Sequence, residues 1–591
     1  MSLASQWEDV VSEFLHEHVK AVMSAAKLGF ARFFGLRLGN GLMCAASHEP
    51  RLTQRGLQRK RTQPHNWERT LDVVWTEREN YRGMEAQTQS GAAEVADTYD
   101  VVIMGGALSG GATATLLLRH NPGIRILILE KSPKLGRRVG EATVEVSAYF
   151  MGRVLGLTQY LNESHLAKQG LRFWFTNDDV RSLAEASELG PLYQVRVPSY
   201  QLDRAAFDEE VLRRATAAGA QLVRPATITD VQLSSGNQQS VTFRNGDGNK
   251  TIRARWIVDA SGVAAILARK NGWWVSNTEH PTAAAWSRWK GVKDWDSREL
   301  AEKYPQWSRS VYSTRNTATN HVIGDGWWSW WIPLKGGDVS VGVVFDQRLV
   351  DWPQDGGKIG ERLKTFLMKH PVGREILVDA QFDEQDVHWR KNLAYYSTTF
   401  AGDGFVLVGD AAAFMDPFYS PGMDWISFTT SRAAALIGAQ RRGEAMSALV
   451  ERHNRDFAIS HRCWFEAIYK DKYEYMGEFD LMSIALIFDL CLYYLGVASR
   501  PFKYGENALL VPPFSGAGIG PIFRFMRTYN RRFAEIARRR RKRRMLGKTN
   551  RAHRCLIPGF KLHSTNPKLF AQGFAKWARV ELDELFSTSM S

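Results

Sequence analysis

Between residues 99 and 130 the chain is apolar from Tyr99 to Met104, breaks at a cluster of glycines, spaces its apolar positions helically from Ala112 to Arg119, and is apolar again from Ile124 to Leu129 before closing on Glu130. Short apolar runs bounded by turn residues predict buried strands, and the 3.6-residue spacing between them predicts a helix, so the stretch reads as strand, turn, helix, strand. Alternation at Ser240–Phe243 and Thr251–Val258 predicts paired strands, and Val339–Phe345 predicts another. After about Thr429 the spacing turns helical and stays so through Tyr494. The most apolar stretch, Leu481–Ser499, carries Asp489 near its middle and Gly496 near its end. A charge at bilayer depth is costly, so this stretch predicts a buried helix rather than a membrane span.

The flanks behave differently. Glu8, Glu13 and Glu17 interrupt any apolar core that an export signal would need, and residues 1–34 read as an amphipathic helix. Residues 47–95 are polar and aperiodic, with Arg51, Arg55, Arg59, Lys60 and Arg61 closely spaced, and predict a linker or disordered arm. The expected organisation is therefore an N-terminal helix and linker (1–98), a catalytic body with an inserted substrate-domain sheet at about 200–400 (99–430), and a mainly helical C-terminal region (431–591).

Composition narrows the function. With 591 residues, 44% hydrophobic and 24% charged, the chain is globular and long enough to bury a large ligand. Part of its net charge of +15 is local, in the unbroken run Arg538–Arg544. That run reads first as a solvated helix face or tail, and second as a dock for an acidic partner such as a carrier protein. No aromatics interleave it and no nucleic-acid motif accompanies it, so nucleic acid is not an expected partner, nor is peripheral membrane contact. Cys44, Cys463, Cys491 and Cys555 lie far apart with no paired spacing, which suggests neither a disulfide framework nor a metal site and fits a reducing cytoplasm.

The glycine cluster carries the first chemistry. Gly105-Gly106-Ala107-Leu108-Ser109-Gly110 is a G-x-A-x-x-G form of the dinucleotide fingerprint, placed between a predicted strand and helix and followed by an acidic residue, Glu130, at the end of the next strand. Amides left open at a helix N-terminus suit a pyrophosphate, and Glu130 is placed to accept from ribose hydroxyls. Ala107 stands where a glycine would allow the closest backbone approach. Downstream, Val406-Leu407-Val408 leads into Gly409-Asp410, which resembles the GD motif of FAD oxidoreductases. Asp259-Ala260-Ser261-Gly262 and Tyr200-Gln201-Leu202-Asp203-Arg204 resemble two further segments of the glutathione-reductase-like group, the second bringing an arginine to the cofactor. Together these choose FAD over NAD and a fold of the α/β class (α+β overall): a Rossmann-like FAD-binding domain, a mixed-sheet substrate domain and a helical C-terminal region.

Within that class, Trp328-Ser329-Trp330-Trp331-Ile332-Pro333 resembles the WxWxIP signature of flavin-dependent halogenases. Gly140-Glu141-Ala142-Thr143 resembles the element beside the flavin in that family, and Lys168-Gln169-Gly170-Leu171-Arg172-Phe173 resembles the pattern that carries its catalytic lysine. The resemblance covers roughly residues 99–430. It implies an FADH2-dependent, oxygen-dependent halogenation of an electron-rich aromatic through a flavin hydroperoxide and hypohalous acid, with halide as co-substrate. It implies Lys168 as the catalytic group, and Glu141, Arg204, Gly409, Asp410, Pro417 and Gly422 beside the cofactor. Trp328, Trp330 and Ser420 would line the substrate tunnel. The substrate is a small aromatic, free or carrier-tethered, and with no second GxGxxG unit for NAD(P)H the flavin is expected from a separate reductase. The plainer readings are a surface lysine for Lys168 and ordinary core for the tryptophans. His165 reads as a satisfied or exposed histidine rather than a base.

The loop after the GD motif departs from the family. In Asp416-Pro417-Phe418-Tyr419-Ser420-Pro421-Gly422, Pro421 has no N–H to offer a halide, and Tyr419 stands where tryptophan halogenases place a glutamate. This favours a phenol or pyrrole type over a tryptophan type. It also leaves open an FAD-dependent monooxygenase or geranylgeranyl-reductase-like enzyme, or a fold kept only as a flavin-binding, carrier-docking scaffold.

Overall fold

The structure, a computed structural model, describes residues 95–589, apart from 235–237, 247, 355–356, 517 and 563–565; the expectations for the N-terminal helix and most of the linker fall outside the described residues. The apolar runs at the start of the body become the strands Thr98–Met104 and Ile126–Leu129, joined by the helix Leu108–His120. The helix begins four residues before the apolar periodicity shows, because Leu108 to Gly111 already pack under the sheet. The strand Thr98–Met104 lies in the middle of its sheet, parallel on one side to Ile126–Leu129 and on the other to Gly248–Asp259. Phe405–Leu407 and Gln221–Val223 extend the sheet outward, both parallel. Strand order thus reverses around the first strand, and in such a sheet the crevice beyond the carboxyl ends at that point is where a ligand binds.

The second sheet is mixed and mostly antiparallel. It runs from Thr282–Lys290 through Val339–Asp346, Trp327–Pro333 and Thr319–Gly324 to Leu171–Phe175 and Ser187–Pro191. It therefore begins about thirty residues earlier than the expected inserted region, at Leu171. In Trp327–Pro333 the strand period of two sends Trp327 and Trp331 into a core with Trp174, Trp289 and Trp352, while Trp328 and Trp330 point to the opposite face. On that opposite face Trp330 leaves no room for a side chain at Gly342 of the neighbouring strand, where a Cβ would lie 2.3 Å from its ring.

After Gly422–Arg441 the chain is helical as the spacing predicts, through Met446–Trp464, Phe479–Tyr493 and Gly520–Lys542. One departure has structural weight: the C-terminal region also contains a strand, Arg554–Ile557, which pairs in parallel with Ser187–Pro191 at the edge of the second sheet. The 26-residue helical stretch Phe479–Tyr504 is long and apolar enough to cross a membrane, yet 67% of its apolar window is buried inside the fold. Asp489 in its middle accepts from the buried Lys472 Nζ at 2.8 Å. The basic run fits its first reading only in part, for Arg538, Lys542, Arg543 and Arg544 are exposed while two of its residues are tied into the fold. Arg540 is largely withdrawn from solvent and binds Glu478, Asp480 and Glu584, and Arg541 binds Asp325 and Glu474.

Candidate active site

The glycine turn is shaped for close approach. Gly105 sits at φ +107°, and a Cβ added to Gly110 would lie 1.9 Å from the Gly105 carbonyl oxygen. No side chain caps the helix that follows, whose N-cap is Ala107, so its first amides face the crevice without a side-chain acceptor. Glu130, buried at the end of the neighbouring strand, accepts from Gly106 N at 2.8 Å. The GD motif arrives from a third strand. Gly409, at φ +59°, abuts Ser109, where a Cβ would meet Ser109 Oγ at 2.5 Å. Burial holds the Asp410 carboxyl above its ordinary range, with Arg204 opposing that shift. Gly105, Gly106, Ser109, Gly110, Glu130, Gly409 and Asp410 thus converge at one end of the parallel sheet. The close Gly–Gly and Gly–Ser approaches, the uncapped helix start and the acid at the strand end fit the diphosphate and ribose of an adenine dinucleotide.

Three sequence motifs that lie far apart along the chain are joined here by main-chain hydrogen bonds. Thr143 N donates to Tyr200 O at 3.0 Å, Leu202 N to Glu141 O at 2.7 Å, and Lys168 N to Ser199 O at 2.8 Å. Arg204 closes one end of this ladder, donating to the carbonyls of Val139 and Gly140 while its fork holds Asp208. Glu141 is buried, with Oε1 2.8 Å from Arg288 and Oε2 without a hydrogen-bond partner, and burial pushes its pKa up to about 7. A buried oxygen of this kind fits an N–H or O–H from a bound cofactor.

Lys168 closes the other end. It is 3% exposed, its Nζ donates to Thr143 O at 2.8 Å, and among the described residues no carboxylate lies within ion-pair distance. Burial lowers its pKa to about 8, with Glu145 and Asp424 pulling the other way. The amine lines a cavity of about 450 Å³, within the range of small-molecule sites. Other walls come from Gly170, just before the strand Leu171–Phe175, Pro191 of the second sheet, Tyr419 and Pro421 of the loop after the GD motif, Tyr493 of the apolar helix, and Phe560 just past the C-terminal strand.

Trp328 and Trp330 do not line this cavity. Trp328 stands two rings behind it, packed on Phe418, whose ring in turn contacts that of Tyr419 on the cavity wall. Its indole N–H donates to Tyr473 at 2.8 Å, and Tyr473 donates to Asp416 at 3.0 Å, which ties the tryptophan strand to the base of the loop. Ser420 is likewise absent from the cavity wall, and Pro417 O accepts from its N–H at 3.0 Å. Tyr419 and Ser420 are consecutive left-handed residues, φ +68° and +58°, a strain that persists only where surroundings impose it. Here Tyr419 Oη donates to Asp489 at 3.0 Å, and Tyr469 Oη donates to the Phe418 carbonyl at 3.1 Å. The helix Gly422–Arg441 then starts at Pro421, and a Cβ on Gly422 would meet open space. His165 is buried, and desolvation lowers its pKa to about 4, which leaves it a neutral packing group.

One wall residue escapes sequence reasoning. Asp424, in the first turn of that helix and 0% exposed, accepts from Ser147 N at 2.9 Å and from Tyr493 Oη at 3.0 Å, and burial raises its pKa to about 7. Its only signal in the sequence is an acid set into an otherwise apolar helical run.

Comparison with known proteins is consistent with this geometry. Residues 100–327 match the family of FAD dependent oxidoreductases. The flavin-dependent halogenase chlA of Dictyostelium discoideum is 27% identical over 438 residues, covering 67% of this chain and 69% of that protein. A pyrrole-2-carbonyl carrier-protein chlorinase of Pseudomonas fluorescens is 26% identical over 402 residues, covering 64% and 82%. Sulochrin halogenase gedL of Aspergillus terreus is 26% identical over 371 residues, covering 58% of this chain and 64% of its own length. Among solved structures, halogenase PltM superposes with a TM-score of 0.65 at 20% identity over 81% of this chain and 96% of that one, and brominase Bmp2 with 0.55 at 20% over 74% and 100%. At such identity the structures establish a shared fold.

Proposed function

We propose that this chain, which matches FAD dependent oxidoreductases and is similar to flavin-dependent halogenases, uses FAD to halogenate a small electron-rich aromatic, with hypohalous acid that Lys168 holds against the substrate. The observation that carries this reading is the placement of Lys168: a buried amine with a carbonyl as its hydrogen-bond partner, on the wall of a cavity one peptide segment from the cofactor crevice. Reduced FAD, when bound, supplies the electrons with which oxygen oxidises halide.

The remaining chemistry belongs to the chain. The ladder from Gly140 to Thr143 separates Arg204 and Glu141, which face the cofactor, from Lys168, which faces the cavity. This division keeps substrate off the flavin and favours a diffusible oxidant over direct hydroxylation. An ammonium at Lys168 donates to the oxygen of hypohalous acid and orients its halogen into the cavity, and the phenol rings and apolar walls exclude water that would consume it. The substrate arrives free or on a carrier, as in the pyrrole chlorinase. The single fingerprint is taken by FAD, so a separate reductase is assigned to supply FADH2. The compartment is assigned as the cytoplasm, where the buried Cys463, Cys491 and Cys555 stay free.

The test supplies purified protein with FADH2, oxygen and bromide against phenols, indoles and pyrroles. Brominated products are expected; hydroxylated products alone would reject the reading. A monooxygenase or geranylgeranyl-reductase-like reaction has one observation in its favour, Pro421, which withholds an N–H from the loop. Rapid NADPH oxidation without added reductase would select it.

A further inference from the structure

The cavity holds a second buried ionisable group besides the lysine. Asp424 reaches it from the helix Gly422–Arg441, and Lys168 reaches it from the turn before Leu171–Phe175. The groups facing Asp424 are Ser147 and Glu145 from the short helix Glu145–Tyr149, Tyr493 from the apolar helix, Tyr469 from the turn after Met446–Trp464, and Lys168. Only two of these donate to its carboxylate, the Ser147 amide to Oδ1 and the Tyr493 hydroxyl to Oδ2. Each carboxylate oxygen has a further lone pair, which leaves room for a donor from a bound substrate. Of the other two acids on the cavity wall, Glu145 is already held by Tyr494 Oη, and Asp489 by Lys472, Tyr419 and Tyr529.

Resting on the halogenase reading, we propose that Asp424 is a catalytic base that accepts the hydroxyl proton of the aromatic substrate, which makes this chain selective for phenols over aromatics that lack an O–H donor. The O–H bond breaks toward Asp424 and its electron pair stays on oxygen, which raises electron density at the ortho and para carbons. One of these carbons bonds the halogen of hypohalous acid as the oxygen–halogen bond breaks, and the Lys168 ammonium protonates the departing hydroxide to water. The halogenated ring carbon then gives its proton to the Lys168 amine while the ring oxygen recovers one from Asp424. Both side chains return to their starting states. Phenol and hypohalous acid have become halophenol and water. Two groups in one cavity whose surroundings bring both toward neutrality are suited to this exchange.

The experiment compares resorcinol with 1,3-dimethoxybenzene in wild type and Asp424→Asn, with FADH2, oxygen and bromide, and measures hypobromite separately with an enol trap. Asparagine keeps an acceptor for Ser147 N and cannot take a proton. We expect kcat/KM for resorcinol to fall about 100-fold, dimethoxybenzene turnover and trapped hypobromite to stay within about twofold of wild type, and the wild-type loss of resorcinol turnover below about pH 7 to vanish in the variant. Equal losses on both substrates, or loss of trapped hypobromite, assign Asp424 a structural role and overturn the proposal. Unchanged resorcinol kinetics overturn it as well. Wild-type protein that brominates neither substrate nor any other aromatic overturns the halogenase reading itself.

Discussion

A lysine amine normally stays charged in water, and burying it costs free energy that only a functional arrangement sustains. Lys168 accepts that cost with a carbonyl, Thr143 O, as its hydrogen-bond partner. Lys168→Ala is expected to retain FAD while halogenated product falls at least about 100-fold, as measured by product mass spectrometry beside flavin absorbance. Burial brings the amine to a pKa of about 8, so the ammonium that orients hypohalous acid is lost as pH rises through that value, and the rate should decline there. The glycine turn gives a second residue-scale test. With Gly110 Cβ space filled by the Gly105 carbonyl, Gly110→Ala must displace either the turn or the helix, and the purified variant is expected to be colourless. Both residues were legible in the sequence because each sits in a motif of fixed spacing. Asp424 was not, since a single acid in a helical run has no spacing to read and acquires meaning only when Ser147, Tyr493 and Lys168 come around it in space.

At the scale of elements, the strained loop and the helices behind it act together. Tyr419 and Ser420 keep left-handed backbones because Asp489, shared with Lys472 and Tyr529, holds the Tyr419 hydroxyl. Tyr419→Phe removes that bond and is expected to cost about 1 kcal/mol in a urea titration and to raise the KM for bromide while leaving FAD affinity unchanged. The sequence showed Asp489 as a charge misplaced in an apolar helix and showed Tyr419 as a departure from a family pattern. That one explains the other required the fold, because 70 residues separate them. The tryptophan strand is the converse case. Its residue types pointed to a tunnel wall, but the strand period sends Trp331 to the core, and Phe418 and Tyr419 stand between Trp328 and the cavity.

Across the whole molecule, the C-terminal region is the part that local patterns describe least well. Periodicity located its helices, yet the run Arg538–Arg544 looked like surface charge because its partners, Glu478, Asp480, Glu474, Asp325 and Glu584, are scattered over the chain. Arg540→Ala should destabilise the protein by about 3 kcal/mol, since it strands the buried Glu478. That carboxyl has a pKa raised to about 7, chiefly by burial. A folded pKa above the unfolded one means the folded state binds the proton more tightly, so the variant's deficit should shrink as pH falls from about 8 to about 5, a trend thermal melts can follow. The strand Arg554–Ile557 has a different consequence. It completes the edge of the second sheet, and Phe560 just beyond it supplies part of the cavity wall. During synthesis, then, this wall of the reaction chamber is added only once residue 560 has emerged, long after the glycine turn and the GD motif that frame the flavin crevice. Phe560→Ala should therefore keep its flavin colour while more hypobromite reaches an enol trap in solution and the regioselectivity of aromatic bromination falls.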